Sequence, residues 1–267
     1  MTKEECEKLK KEIEKEGSPK IALENCVKKA SEEFDTINDP LKTAKKFKDP
    51  YIALMCALFS YGKVESICKF LEKLDKDNAF ALINKDKKDI KEAFKTLSYK
   101  YRFQNEKDVE QIFITFARLK NKYKNLEEIF TEPYKKSGKV VDGILNFIQI
   151  ARQINSYESY GYNRFFGKKQ DEPKSPLKRY NMFLRWMVRK DTPDMGLWRG
   201  ISPADLLIPL DVHTKNVSLC LGLLTRKSYD FKAVLKLTQK LKEFDPKDPI
   251  KYDFALYRLG QGGASGT

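Results

Sequence analysis

The chain has 267 residues, 41% hydrophobic and 12% aromatic, which is enough to bury a core and excludes a disordered polyelectrolyte. Lys and Arg number 52 against 38 Asp and Glu, a formal net charge of +14, so an anionic partner is favoured, either a polyanion or an anionic membrane surface. The longest apolar run, 51–61, is too short to span a bilayer and is interrupted by Ser60, and no signal-peptide core precedes it; a soluble, cytoplasmic protein is the economical reading.

In chain order, nearly every segment repeats its apolar residues at three and four, the period of an amphipathic helix. Thr2 and Glu5 form the pattern of a capping box ahead of a first helix that ends at Gly17. A second helix is predicted from Pro19 to Phe34, and Asp39-Pro40 and Asp49-Pro50 open two more, because proline fits a first helical turn. The run after Pro50, YIALMCALFSYG, predicts a helix buried on most sides, and KVESICKFLEKL an amphipathic one. Shorter helices follow around 77–83 and 87–96, then longer ones over 105–123 and 139–154.

Residues 155–174 break the period with Gly, Pro, aromatics and charges, and read as a long loop that is either functional or mobile. A second irregular stretch covers 191–205, and helices at 230–243 and 248–259 close the fold. The final GQGGASGT reads as flexible by composition. No long period-2 alternation occurs, so the fold class is all-α.

The five cysteines are scattered without ligand-like spacing, which speaks against a zinc or iron–sulfur site and for free thiols in a reducing compartment. With a single histidine, His213, serine–histidine hydrolase schemes have little to work with.

Two helix starts carry the chemistry. In SPLKRYNMFLRWMVR, Ser175 reads as the cap, Pro176 as the first position and Lys178 as a first-turn residue. A helix N-terminus, Lys174 and Arg179 all disfavour a further positive charge there, which favours the neutral, nucleophilic amine. A solvated lysine at a frayed helix start accounts for the same residues. In IPLDVHTKNVSLCLGLL, Asp211 reads as an N-cap, and backbone N–H donors would hold it ionised opposite such an amine. A cap and nothing more is the plain alternative.

Together, KRYNMFLRWMVR and PLDVHTKNVSLCLGL resemble the signature of the helix-hairpin-helix DNA glycosylase superfamily, the group of endonuclease III and 8-oxoguanine DNA glycosylase, most closely in a bacterial branch. Lys178, Asn181, Asp211, His213, Val217 and the LGL at 221–223 fall on that pattern. YIALMCALFSYGKVESICKFLEKL resembles the superfamily's first barrel helix pair, and DPIKYDFALYRLG its C-terminal helix. Three departures stand out, one being that the four-cysteine cluster of some members is absent. The hairpin, usually LPGVGxK, reads DEPKSPLK and lacks both glycines, and the segment from lysine to aspartate is longer.

The resemblance implies two helical lobes with a DNA-binding cleft between them. One would comprise 1–48 and 191–267 and carry Asp211; the other would be 49–190 and carry Lys178. It implies a monomer without cofactor or metal, acting near the nucleoid on double-stranded DNA that contains a damaged base. Lys178 would attack C1′ of the extruded sugar with help from Asp211, giving glycosylase and AP lyase activity on an oxidised purine, 8-oxoguanine first.

Gly62 and Lys63 fall in the turn where relatives fill the gap left by the flipped base, or are a plain turn glycine and surface lysine. Asp253 and Phe254 are placed to wall a base pocket, or to pack as core. Lys174, Arg179, His213, Lys215 and Asn216 are candidate DNA contacts, or ordinary surface. Trp186 and Trp198 are aromatic enough to stack on a base. The competing functions are a monofunctional glycosylase for alkylated bases and a non-catalytic DNA-structure-binding protein of the same fold.

Overall fold

Short polar side chains open most of the helices by satisfying the free backbone N–H groups of the first turn. The computed structural model describes residues 1–34 and 37–260; the glycine-rich tail beyond Gly260 lies outside the described residues. Helix α1 (Lys3–Lys15) opens with the expected capping box. The Thr2 hydroxyl accepts from the Glu5 N–H at 3.1 Å, and the Glu5 carboxylate accepts from the Thr2 N–H at 2.6 Å. Ser18 caps α2 (Pro19–Glu33).

Residues 38–171 form one compact unit. Asp39 and Asp49 cap α3 (Pro40–Phe47) and α4 (Pro50–Phe59), each with proline at the first helical position. Every residue of α4 from Tyr51 to Phe59 is buried, as its unbroken apolar sequence requires. The unit continues with α5 (Val64–Lys76), a 3-10 turn at Ala79–Asn84, α6 (Lys87–Ala93), α7 (Glu106–Lys122), α8 (Leu126–Ser137), α9 (Val140–Ile154) and α10 (Tyr160–Phe166), of which α8 and α10 pack on α4.

Two of these depart from the sequence reading. α8 carries Pro133 in its interior, which removes a backbone donor and interrupts the sequence signal. α10 lies inside the stretch read as a loop. Its aromatics Tyr162, Phe165 and Phe166 are fully buried, so tertiary packing stabilises a helix that local propensity does not announce. Gly161 is required there, because a Cβ would stand 2.3 Å from an Asp108 carboxylate oxygen and 2.4 Å from the Phe103 carbonyl. Asp108 is itself buried and accepts from Tyr157 and Ser159, pinning the segment that leads into α10.

The second compact unit joins 1–37 to 172–267. It contains α1, α2, α11 (Lys178–Val188), a 3-10 turn at Pro203–Asp205, α12 (Val212–Cys220), α13 (Phe231–Lys242), and a second 3-10 turn at Pro249–Tyr252 that runs into α14 (Asp253–Gly260). The sequence reading drew the boundaries at 48/49 and 190/191, which put Lys178 in the unit opposite Asp211. The structure draws them at 37/38 and 171/172, so both residues share a unit. The reason lies in α11. The backbone N–H groups of Met195 and Trp198 donate to the Trp186 and Met187 carbonyls, and Arg185 and Arg189 pair with Asp194, Asp248 and Asp253.

The reading of five free thiols also needs correction. Cys6 and Cys220 are disulfide-bonded, with Cα atoms 5.7 Å apart, and tie α1 to the end of α12 across 214 positions of sequence; Cys26, Cys56 and Cys68 are free. Spacing along the chain carries no information about a contact that the packing of α1 against α12 creates. No strand occurs among the described residues, only an isolated bridge between Tyr101 and Gln104, and the chain is all-α. None of its described helices is long and apolar enough to cross a membrane.

Candidate active site

Helix α11 begins at Lys178 itself, three residues after the expected Ser175 cap. Leu177 occupies the N-cap in a left-handed conformation, φ +51°, and no side chain caps the helix. Its carbonyl accepts from the N–H groups of Tyr180 and Asn181, both at 3.0 Å. The backbone therefore makes a left-handed turn into the helix without the glycine that such a turn favours. Asn181 secures that turn, because its buried amide donates to the Pro176 carbonyl at 3.1 Å. The other face of α11 is sunk in the core through Phe183, Leu184, Trp186 and Met187. Lys178 thus extends from the first residue of a rigid helix, one third exposed.

Asp211 caps α12 as expected, with Oδ1 accepting from the Thr214 N–H at 2.8 Å. The other oxygen, Oδ2, stands 3.2 Å from the Lys178 Nζ. The carboxylate is largely covered, at 13% side-chain exposure, while the amine remains reachable. One oxygen anchors the group and the other faces the amine. Such a pair sets a carboxylate oxygen within reach of the amine's protons, the geometry that a nucleophilic amine and its base require.

Behind the pair lies a buried chain of charges that the sequence reading did not identify. Asp253 pairs with Arg185; Arg185 Nε reaches Asp194 Oδ1 at 3.1 Å; Asp194 Oδ2 meets Arg189 Nη1 at 2.6 Å; and Arg189 Nε reaches Asp248 at 2.9 Å. Burial pushes the Asp253 carboxyl up to about 6, against the pull of Arg185, and the Asp211 charge adds to the rise. Burial also raises Asp194, despite its two arginines. Asp253 thus stands in an ion pair with Arg185. Phe254 is half-buried, meets Phe34 edge-on at 6.3 Å, and lines a narrow pocket with Arg185, Arg189, Pro193 and Ile250. Neither Lys178 nor Asp211 borders that pocket.

Of the other candidates in this unit, Lys174 is exposed and its carbonyl accepts from the Phe231 N–H at 3.1 Å. Arg179 and Asn216 are half-buried. His213 is exposed, with its ring 6.2 Å from that of Tyr257, and Lys215 donates to the Lys227 carbonyl at 3.2 Å. Trp186 and Trp198 are both buried, at 1% and 3% exposure, so neither ring is open to a base.

In the other unit, Gly62 and Lys63 are exposed in the turn between α4 and α5. Gly62 has φ +111°, and a Cβ would stand 2.6 Å from Arg102 Nη1. Arg102 in turn lies over the rings of Tyr61 and Phe103, each at 5.8 Å, and Tyr61 and Phe103 stack nearly parallel at 6.1 Å. Arg164 lies 5.0 Å from the Phe103 ring, and Tyr160 abuts Phe103 at 5.8 Å. Phe103 and Tyr160 are 39% and 67% exposed. Sequence reasoning found the glycine turn but missed this aromatic–arginine cluster. Its members come from 61, 102–103 and 160–164, and only the adjacency of YRF at 101–103 hints at it.

A family model described as protein of unknown function, DUF2400, matches residues 39–262. No curated protein and no solved structure matches the chain.

Proposed function

We propose that this chain, which belongs to the DUF2400 family, is a base-excision repair enzyme: a DNA N-glycosylase with AP lyase activity on duplex DNA. The observation that carries this reading is the 3.2 Å approach of the Lys178 amine to the free oxygen of a cap-anchored Asp211. A target base is shielded in the duplex, so the nucleotide must first be extruded. Asp211 then takes a proton from the amine, and the nitrogen lone pair forms a bond to C1′. The glycosidic bond breaks, its electron pair leaves with the base, and the base takes up a proton. Ring opening yields an imine between Lys178 and the sugar, and β-elimination breaks the C3′–O bond to nick the strand.

An oxidised purine, with 8-oxoguanine first, is the substrate class that the sequence resemblance favours. The aromatic–arginine cluster at Gly62 suits stacking on bases, with guanidinium groups for phosphate. The excess of 52 basic over 38 acidic residues supplies long-range attraction to the polyanion.

Borohydride trapping on a panel of single-lesion duplexes tests this reading. A covalent adduct at Lys178 with at least one lesion, lost in Lys178→Gln, is expected. Base release without an adduct would indicate a monofunctional enzyme, and no release from any lesion would leave a DNA-binding protein without this chemistry.

A further inference from the structure

Two residues at the entry to α13, Tyr229 and Phe231, reach the chain segments ahead of both members of the pair. The Tyr229 hydroxyl donates to the Leu210 carbonyl at 2.9 Å, one residue before Asp211. The Phe231 N–H donates to the Lys174 carbonyl at 3.1 Å, four residues before Lys178. Between them, Asp230 caps α13 by accepting from the Ala233 N–H at 3.0 Å. Arg226 grips the same carboxylate through Nε at 2.8 and 3.1 Å, which holds it down to about 2 and so charged at any working pH. Phe231, Ala233, Val234 and Leu237 bury the adjoining face of α13.

We infer that Tyr229 is a positioning residue for the Lys178–Asp211 pair, and that the 229–231 segment is the strut that sets their separation. The Leu210 carbonyl and the Asp211 N–H belong to one planar peptide, so holding the first orients the second. Tyr229 as a residue is 42% exposed, while its hydroxyl is turned onto the backbone and engaged there. Burial, and secondarily the Asp211 charge, push the phenol up to about 12, so it remains a donor through neutral pH. Lys215 Nζ stands 5.9 Å from the centre of the same ring.

This inference rests on the amine–carboxylate reading, so its test includes a readout that needs no DNA. Reductive methylation of Lys178 with formaldehyde and cyanoborohydride, followed by peptide mass spectrometry, reports the reactivity of the amine directly. Tyr229→Phe, which keeps the ring, is expected to change that rate by about threefold, the scale of one ordinary hydrogen bond, in the same direction as Asp211→Asn. On lesion DNA its single-turnover rate falls while its DNA affinity stays at the wild-type value. A Tyr229→Phe rate equal to wild type, whether or not Asp211→Asn moves it, overturns the inference. If wild type releases no base while both variants alter Lys178 labelling, the glycosylase reading falls and the strut stands. Should Tyr229→Phe melt well below wild type, Arg226→Gln on the surface loosens the same segment and is read in the same way.

Discussion

Asp211 divides its two carboxylate oxygens between two tasks: Oδ1 closes the first turn of α12 on the Thr214 N–H, and Oδ2 faces the Lys178 amine at 3.2 Å. The two tasks separate under mutation. Asparagine caps a helix about as well as aspartate, so Asp211→Asn is expected to hold its stability within a few tenths of a kcal/mol, whereas Asp211→Ala loses about 1 kcal/mol. Both variants lose lysine chemistry on lesion DNA. Urea unfolding beside single-turnover base release checks the split; a large stability loss in the asparagine variant would mean that the ion pair, not the cap, holds α12.

Asp253 supplies a pH prediction. Its carboxyl is raised from the ordinary 3.8 to about 6 in the folded protein. An acid raised in the folded state favours folding most when protonated, so its contribution is fully present below the ordinary value and is lost as pH climbs through about 6. Asp253→Asn carries no proton to lose. Its stability relative to wild type is expected to improve between pH 4 and pH 7, by an amount of order 2–3 kcal/mol. Denaturant unfolding at a series of pH values measures this, and a pH-independent difference would show that Arg185 keeps Asp253 charged throughout.

The disulfide makes a count that can be checked directly. Alkylation of the unreduced, denatured chain is expected to modify three cysteines, Cys26, Cys56 and Cys68, and to spare Cys6 and Cys220. Cys6→Ser releases α1, whose buried apolar residues are Leu9 and Ile13. Closing a loop of this length is worth up to about 5 kcal/mol in the chain-entropy model, so a clear fall in Tm is expected, matched by dithiothreitol on wild type. Equal melting of the reduced and unreduced protein would contradict it.

The aromatic–arginine cluster separates stacking from charge. Phe103→Ala removes an exposed ring and is expected to weaken DNA binding by about 1–3 kcal/mol with the salt slope unchanged. Lys63→Ala removes one charge and is expected to flatten that slope by about one unit. Fluorescence anisotropy titrations from low to high salt resolve the two; indifference of binding to Phe103 would remove the cluster from the proposed DNA contacts.

Local signals account for how well the helix starts were read. Thr2 with Glu5, Ser18, and the Asp-Pro pairs at 39–40 and 49–50 act on backbone N–H groups within three residues, so adjacent sequence is sufficient to place them. Asp211 as a cap belongs with them. Ser175 failed as a cap because the path into α11 is held by contacts beyond the first turn's own cap, from within the helix by Asn181 on Pro176 and from outside it by Phe231 on Lys174. Helix α10 was illegible because a short run of aromatics beside glycine becomes a helix only once its rings are buried.

The sequence by itself determined the all-α class, most helix starts and the excess of basic charge, and it singled out one lysine and one aspartate as candidates. Their 3.2 Å meeting is a tertiary fact, as are the partnership of Cys6 with Cys220 and the charge chain from Asp253 to Asp248. Capping and periodicity are settled over a few residues. Contacts between positions tens to hundreds of residues apart form only when packed helices bring the segments together, and no local pattern encodes that distance.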